Sequence, residues 1–143
     1  MQLNVHDRLR IGAFVPQQSD RVTLTIARDI IKKTELNQEE SVQIGLRPNP
    51  MNPAQIIWGG EIETIDKDGK KMTKKTEKAD IDKWIDFTDA ELKVLKEEEK
   101  KKNDAKTLIA EDLDISEKIV NARLSAERIA ESKAVTEIPD ESA

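Results

Sequence analysis

Three prolines, Pro48, Pro50 and Pro53, fall within six residues in the stretch RPNPMNP. Proline has no amide hydrogen to donate, and its ring pushes the preceding residue out of the helical region. No helix can run through this stretch. It is expected to form an extended, stiff connection and to mark the clearest internal boundary, with helical periodicity before it and strand-like composition after it.

Before the prolines, Asn4 is placed to cap a helix, with Asp7 three residues on. Val5, Leu9, Gly12 and Ala13 fall at helical spacing and Pro16 limits continuation, which predicts a helix over 5–14. Ser19 or Asp20 caps a second helix, over 20–34. Its apolar row is Val22, Ile26 and Ile30, flanked by Ala27 and Ile31, while Arg21, Arg28, Asp29, Lys32 and Lys33 point largely elsewhere. Lys32 and Lys33 also complement the negative end of the helix dipole, so they read as a solvated basic edge. Asn37 opens a short third helix, expected to carry Val42 and Leu46 inward.

After the prolines, QIIWGG and EIETI favour strands, and Asp68-Gly69 favours a tight hairpin turn. The return arm, KMTKKTEKADI, fits either an edge strand protected by charge or a loop. Thr88 and Glu91 then form an S/T-x-x-E capping box, and Phe87 is placed to staple against Leu92. EEEKKKNDAK lacks apolar residues until Ala105 and reads as a solvated helix extension or a connection. A last helix is expected over 107–130, its stripe of Leu108, Ile115, Ile119, Ala122, Ala126 and Ile129 broken by Asp112. Residues 131–143 are acidic and contain Pro139, and they read as a disordered tail. The predicted class is α+β in one small domain over 1–130, helical over 4–46, β-rich over 55–78 and helical again over 88–130. The hairpin or small antiparallel sheet is expected to pack on the helices around Trp58, Ile62, Trp84 and Phe87.

Charge limits the partners. Charged residues make up 37% of the 143 residues and hydrophobic ones 36%, so the core is small. Residues 1–58 carry seven Lys/Arg and six Asp/Glu, residues 59–106 carry 13 and 14, and residues 107–143 carry four and nine. None has the basic excess that drives general nucleic-acid binding by counterion release. The absence of Cys excludes disulfides, thiolate metal sites and Cys nucleophiles. No apolar run approaches a membrane span, and the charged opening MQLNVHDRLR does not suit a signal peptide. A soluble, cytoplasmic protein with no membrane partner is expected.

Little in the sequence points to catalysis. His6 is the only histidine, so any Ser-His-Asp triad would have to use it, and a histidine metal site cannot be assembled. Asp80, Asp82, Asp86 and Asp89 are the densest carboxylate set, but they lack the spacing and glycine of an EF-hand and read as loop and helix-entry residues. Gly59-Gly60 lies in no phosphate-loop motif. No catalytic residue, metal or cofactor is assigned. The candidate partner-binding residues are Trp58, Trp84 and the cluster Lys70, Lys71, Lys74, Lys75 and Lys78. In so aromatic-poor a chain the tryptophans are expected in the core, and an exposed one becomes the leading partner contact.

The order LNVHDRLRIGAFVP, TLTIARDIIKKTELNQEE, IIW, IDFTDAELKVLKEEEKKK and DLDISEKIV resembles a family of small accessory proteins of tailed bacteriophages and prophages. The resemblance covers residues 3–120. The chain departs from it in the PNPMNP loop, the lengthened hairpin and the tail after Ala122. It implies no catalytic residues. The expected function is a non-enzymatic accessory protein in the host cytoplasm that binds a host or phage protein. One alternative is a virion or assembly component that self-associates through 107–130. Another is a nucleic-acid binder using Arg21, Arg28, Lys32 and Lys33 or the Lys70–Lys78 cluster.

Overall fold

Among the described residues, four of the five helices begin where a side chain can accept the orphan amides of the first turn. The computed structural model describes residues 1–125. The expected end of the last helix and the acidic tail lie outside the described residues. Asn4 caps α1 (Val5–Arg10) in a capping box with Asp7, and the chain continues through a 3-10 turn over Ile11–Phe14. Asp20 caps α2 (Arg21–Thr34), accepting from the Thr23 amide at 2.8 Å. Asn37 forms a capping box with Glu40 at α3 (Gln38–Ile44), and Thr88 forms one with Glu91 at α4 (Asp89–Asp104). A 3-10 turn over Ala110–Asp112 leads into α5 (Leu113–Asn121). The last helix therefore starts later than expected.

The fold is α+β, but its strands do not form one sheet on the helices. They make three separate antiparallel ribbons. β1 (Gln2–Leu3) pairs with β6 (Lys83–Trp84), bringing Gln2 opposite Trp84 and Leu3 opposite Lys83. β2 (Arg47–Asn49) pairs with β3 (Asn52–Ile57), so the proline-rich stretch forms a hairpin instead of an extended connection. β4 (Glu61–Ile65) pairs with β5 (Lys71–Lys75), which settles the lysine-rich arm as a strand.

The core belongs to the helices and to the β1–β6 ribbon. Leu3, Ile11, Phe14, Ile30, Leu95, Ile115 and Ile119 are almost wholly buried, joined by Phe87 and Leu92, the staple pair at the start of α4. The ribbons over 47–75 stand outside this cluster, and every residue of β5 is exposed. Trp58 and Ile62 are half-buried and lie outside the core. Trp84 is exposed, so only Phe87 of the expected packing group enters the core. Val42 is 71% exposed, and Ile44 takes the inward place on α3. Val22, at the start of the α2 row, is also exposed, while Ala27 and Ile30 carry the buried contact.

Gly45 joins the helical body to the ribbons. It ends α3 in the left-handed region at φ 63, where a side chain is strained. A Cβ there would lie 2.7 Å from Thr76 Cγ2 and 2.8 Å from Ile62 Cδ1. The glycine lets the β4–β5 ribbon approach the helix end.

Ion pairs tie the helices together. Arg8 is fully buried as a side chain and donates to the Thr34 and Glu35 carbonyls at the end of α2 and to both Glu40 oxygens, at 2.7 and 3.0 Å. This hydrogen bonding holds the Glu40 carboxyl down at about 2. Asp112, the break in the expected stripe, is buried against Arg10 at 2.6 Å, and that hydrogen bond raises the Arg10 pKa. Lys33, read from sequence as part of a solvated edge, reaches Glu91 at 2.6 Å and the Asp86 carbonyl at 3.0 Å.

Candidate functional site

The site is a cleft of about 650 Å³ between the β1–β6 ribbon, the start of α4 and one side of α5. Strand alternation builds one wall. In the run Trp84-Ile85-Asp86-Phe87, Ile85 and Phe87 turn into the core and Trp84 and Asp86 turn outward. Trp84 is 61% exposed, and its indole Nε1 donates to Asp86 Oδ1 at 3.3 Å. The ring is held at the rim by this bond and by backbone pairing to Gln2.

Buried Phe87 and Leu92 and half-buried Met1 and Ala122 line the apolar part of the cleft. Asp86, Asp114 and Glu117 bring carboxylates to it, and among the described residues none of the three is in an ion pair. Asp114 sits in the first turn of α5, where the helix dipole favours a negative charge. Lys118 also lines the cleft but is bonded to Asp7, a buried carboxylate whose other oxygen, Oδ1, has no hydrogen-bond partner among the described residues. Two contacts brace the cleft. Lys96 Nζ donates to the Ile119 and Val120 carbonyls at 3.0 Å, and the Ser125 amide and hydroxyl both donate to Asp89 Oδ1 at 2.9 Å.

The other candidates lie apart from this cleft. Lys71, Lys74 and Lys75 are exposed on β5, Lys70 is in the preceding turn, and Lys78 follows the strand. Lys75 stands opposite Glu61 and Lys71 opposite Ile65, with Lys74 opposite Ile62 on the other face. Acidic and apolar neighbours thus interrupt any basic surface. Trp58 follows β3 beside Gly59 and does not join Trp84.

The aspartates expected as loop and helix-entry residues have separate tasks. Asp80 Oδ1 accepts from the Val5 amide at 3.0 Å, Asp86 from Trp84 and Asp89 from Ser125. Among the described residues no group of three or more His, Cys, Asp or Glu is arranged to hold a metal ion. His6 is half-buried in the first turn of α1. No helix among the described residues is long and apolar enough to cross a membrane.

The sequence marked Trp84 but not its surroundings. Met1, Leu92, Asp114 and Glu117 are far from it in the chain, and only the β1–β6 pairing and the docking of α5 bring them together. The local alternation of Trp84 and Asp86 with Ile85 and Phe87 was the available signal for exposure. The chain matches no protein-family model, no curated protein and no solved structure.

Proposed function

We propose that this chain is a non-enzymatic accessory protein, of the kind carried by tailed phages and prophages, that works by binding a host or phage protein through the Trp84 cleft. The exposure of Trp84 carries this reading. A chain with two tryptophans, two phenylalanines and no tyrosine leaves one of its four aromatic rings on the surface, hydrogen-bonded in place beside an apolar cleft. A rigid aromatic next to buried apolar surface is the arrangement found at interface hot spots, because little rotamer entropy is lost on contact. The sequence resemblance supports the phage context and the absence of assigned chemistry.

The alternative of self-association through 107–130 has less surface to use. Ile115 and Ile119 are buried within the chain's own core, which leaves Ile109, Leu113 and Val120 as the exposed large apolar residues among the described part of that segment.

The test is capture of a tagged chain from a bacterial host, with mass spectrometry and a parallel nucleic-acid stain, repeated with Trp84→Ala. Truncating an exposed ring should leave thermal unfolding within a few degrees of wild type. Loss of a stoichiometric protein by about 30-fold in affinity, the equivalent of about 2 kcal/mol, is expected. Equal recovery by the folded variant would reject the cleft as the binding site.

A further inference from the structure

We propose that the occupant of the Trp84 cleft is a short protein segment with an apolar anchor flanked by lysine or arginine. This rests on the partner-binding reading above and names the chemistry of the partner. Phe87 and Leu92 give the cleft an apolar surface, and Trp84 stands over it as an exposed ring. Asp86, Asp114 and Glu117 surround it with carboxylates that no ion pair among the described residues neutralises. Of the three cations in the lining, Lys118 is bonded to Asp7 and the Met1 ammonium donates to the Ile85 carbonyl at 2.9 Å, so the carboxylates outnumber the cations that remain beside them. The indole face attracts a guanidinium or ammonium group as the carboxylates do.

Charge also separates this occupant from its rivals. Residues 126–143 carry five Asp/Glu against two Lys/Arg, the same sign as the cleft. A second copy would bring a net charge of −5. Both would meet like charge at the rim, whereas a basic segment meets opposite charge and gains in encounter rate and register.

The probe is a short synthetic peptide with lysines flanking a central Leu-Phe pair. Its controls replace the lysines with glutamate or the Leu-Phe pair with serines. Trp58→Phe in the full chain makes Trp84 the only indole, so its emission reports the cleft directly. The basic apolar peptide should shift that emission saturably, with affinity falling as salt rises, and both controls should leave it unchanged. Asp114→Lys with Glu117→Lys should weaken binding about tenfold, since two attractive rim contacts become repulsive. Equal binding of the glutamate peptide, no shift with the basic peptide, or no effect of charge reversal would each overturn the proposal. So would a concentration-dependent dimer in sedimentation that Trp84→Ala abolishes, which would assign the cleft to a second copy.

The two readings fail differently. A partner captured as well by Trp84→Ala removes the cleft from function altogether. A partner lost with Trp84→Ala but retained by the charge-reversed chain keeps the cleft and rejects only its basic occupant.

Discussion

The helical body and the ribbon arm of this protein solve opposite problems with similar residues. In the body, isoleucines 11, 30, 85, 115 and 119 are buried in the core cluster that also takes in Leu92 and Leu95 of α4. In the arm, Ile56 and Ile65 are exposed, as are Met51 and Met72. A two-stranded ribbon has no third layer to cover its faces, so its apolar side chains gain little from folding. The lysines of β5 then suit the arm well, because charge on an open edge discourages pairing with other chains. Stability should therefore reside in the body, and substitutions in the arm should be nearly silent.

Arg8→Met tests that difference most severely. It removes a buried guanidinium and leaves Glu40 and the carbonyls of Thr34 and Glu35 without their partner. The expected cost is about 3–5 kcal/mol, read by urea unfolding. A loss under about 1 kcal/mol would show that the junction of α1, α2 and α3 matters less than its geometry implies. A matched pair sharpens the same contrast. Leu95→Ala empties a fully buried position on α4 and should cost about 2–5 kcal/mol. Ile65→Ala, at a position 72% exposed, should stay within about 0.5 kcal/mol. Similar losses in both would erase the distinction between body and arm.

Acid offers a smaller effect with a defined window. Arg8 holds Glu40 at about 2, below its ordinary 4.5. A depressed carboxyl stabilises the fold above its unfolded pKa, and that contribution is lost as pH falls from 4.5 through about 2. The Glu40 side chain is only 12% exposed, which limits solvent screening, and the loss should be on the order of 2 kcal/mol. Unfolding midpoints followed across that range should fall more steeply for wild type than for Glu40→Gln. Parallel curves would remove this pair from the acid response.

Helix starts were legible in the sequence because their signals are local. Asn4 with Asp7, Asn37 with Glu40, and Thr88 with Glu91 each satisfy amides within one turn. The second task of those carboxylates was not legible. Asp7 meets Lys118, Glu40 meets Arg8 and Glu91 meets Lys33, and in each case the cation lies on another helix. The same long separation hid the value of Asp112, which looked like a fault in an apolar stripe until Arg10 was placed beside it. The arm misled for a different reason. β-branched residues and a hairpin turn report that strands form, but they do not report whether anything covers them. The cleft was legible only as Trp84 and its neighbour Asp86, since Asp114 and Glu117 arrive from α5.

On the proposed reading, the exposed Trp84 puts the binding face on the body, away from the lysine arm. Hydrogen–deuterium exchange of the captured complex against the free chain tests this most directly. Exchange should slow over 84–92 and 114–123, with the ribbons over 47–57 and 61–75 unchanged. Slowing confined to those ribbons would contradict the assignment and move the binding face to the arm.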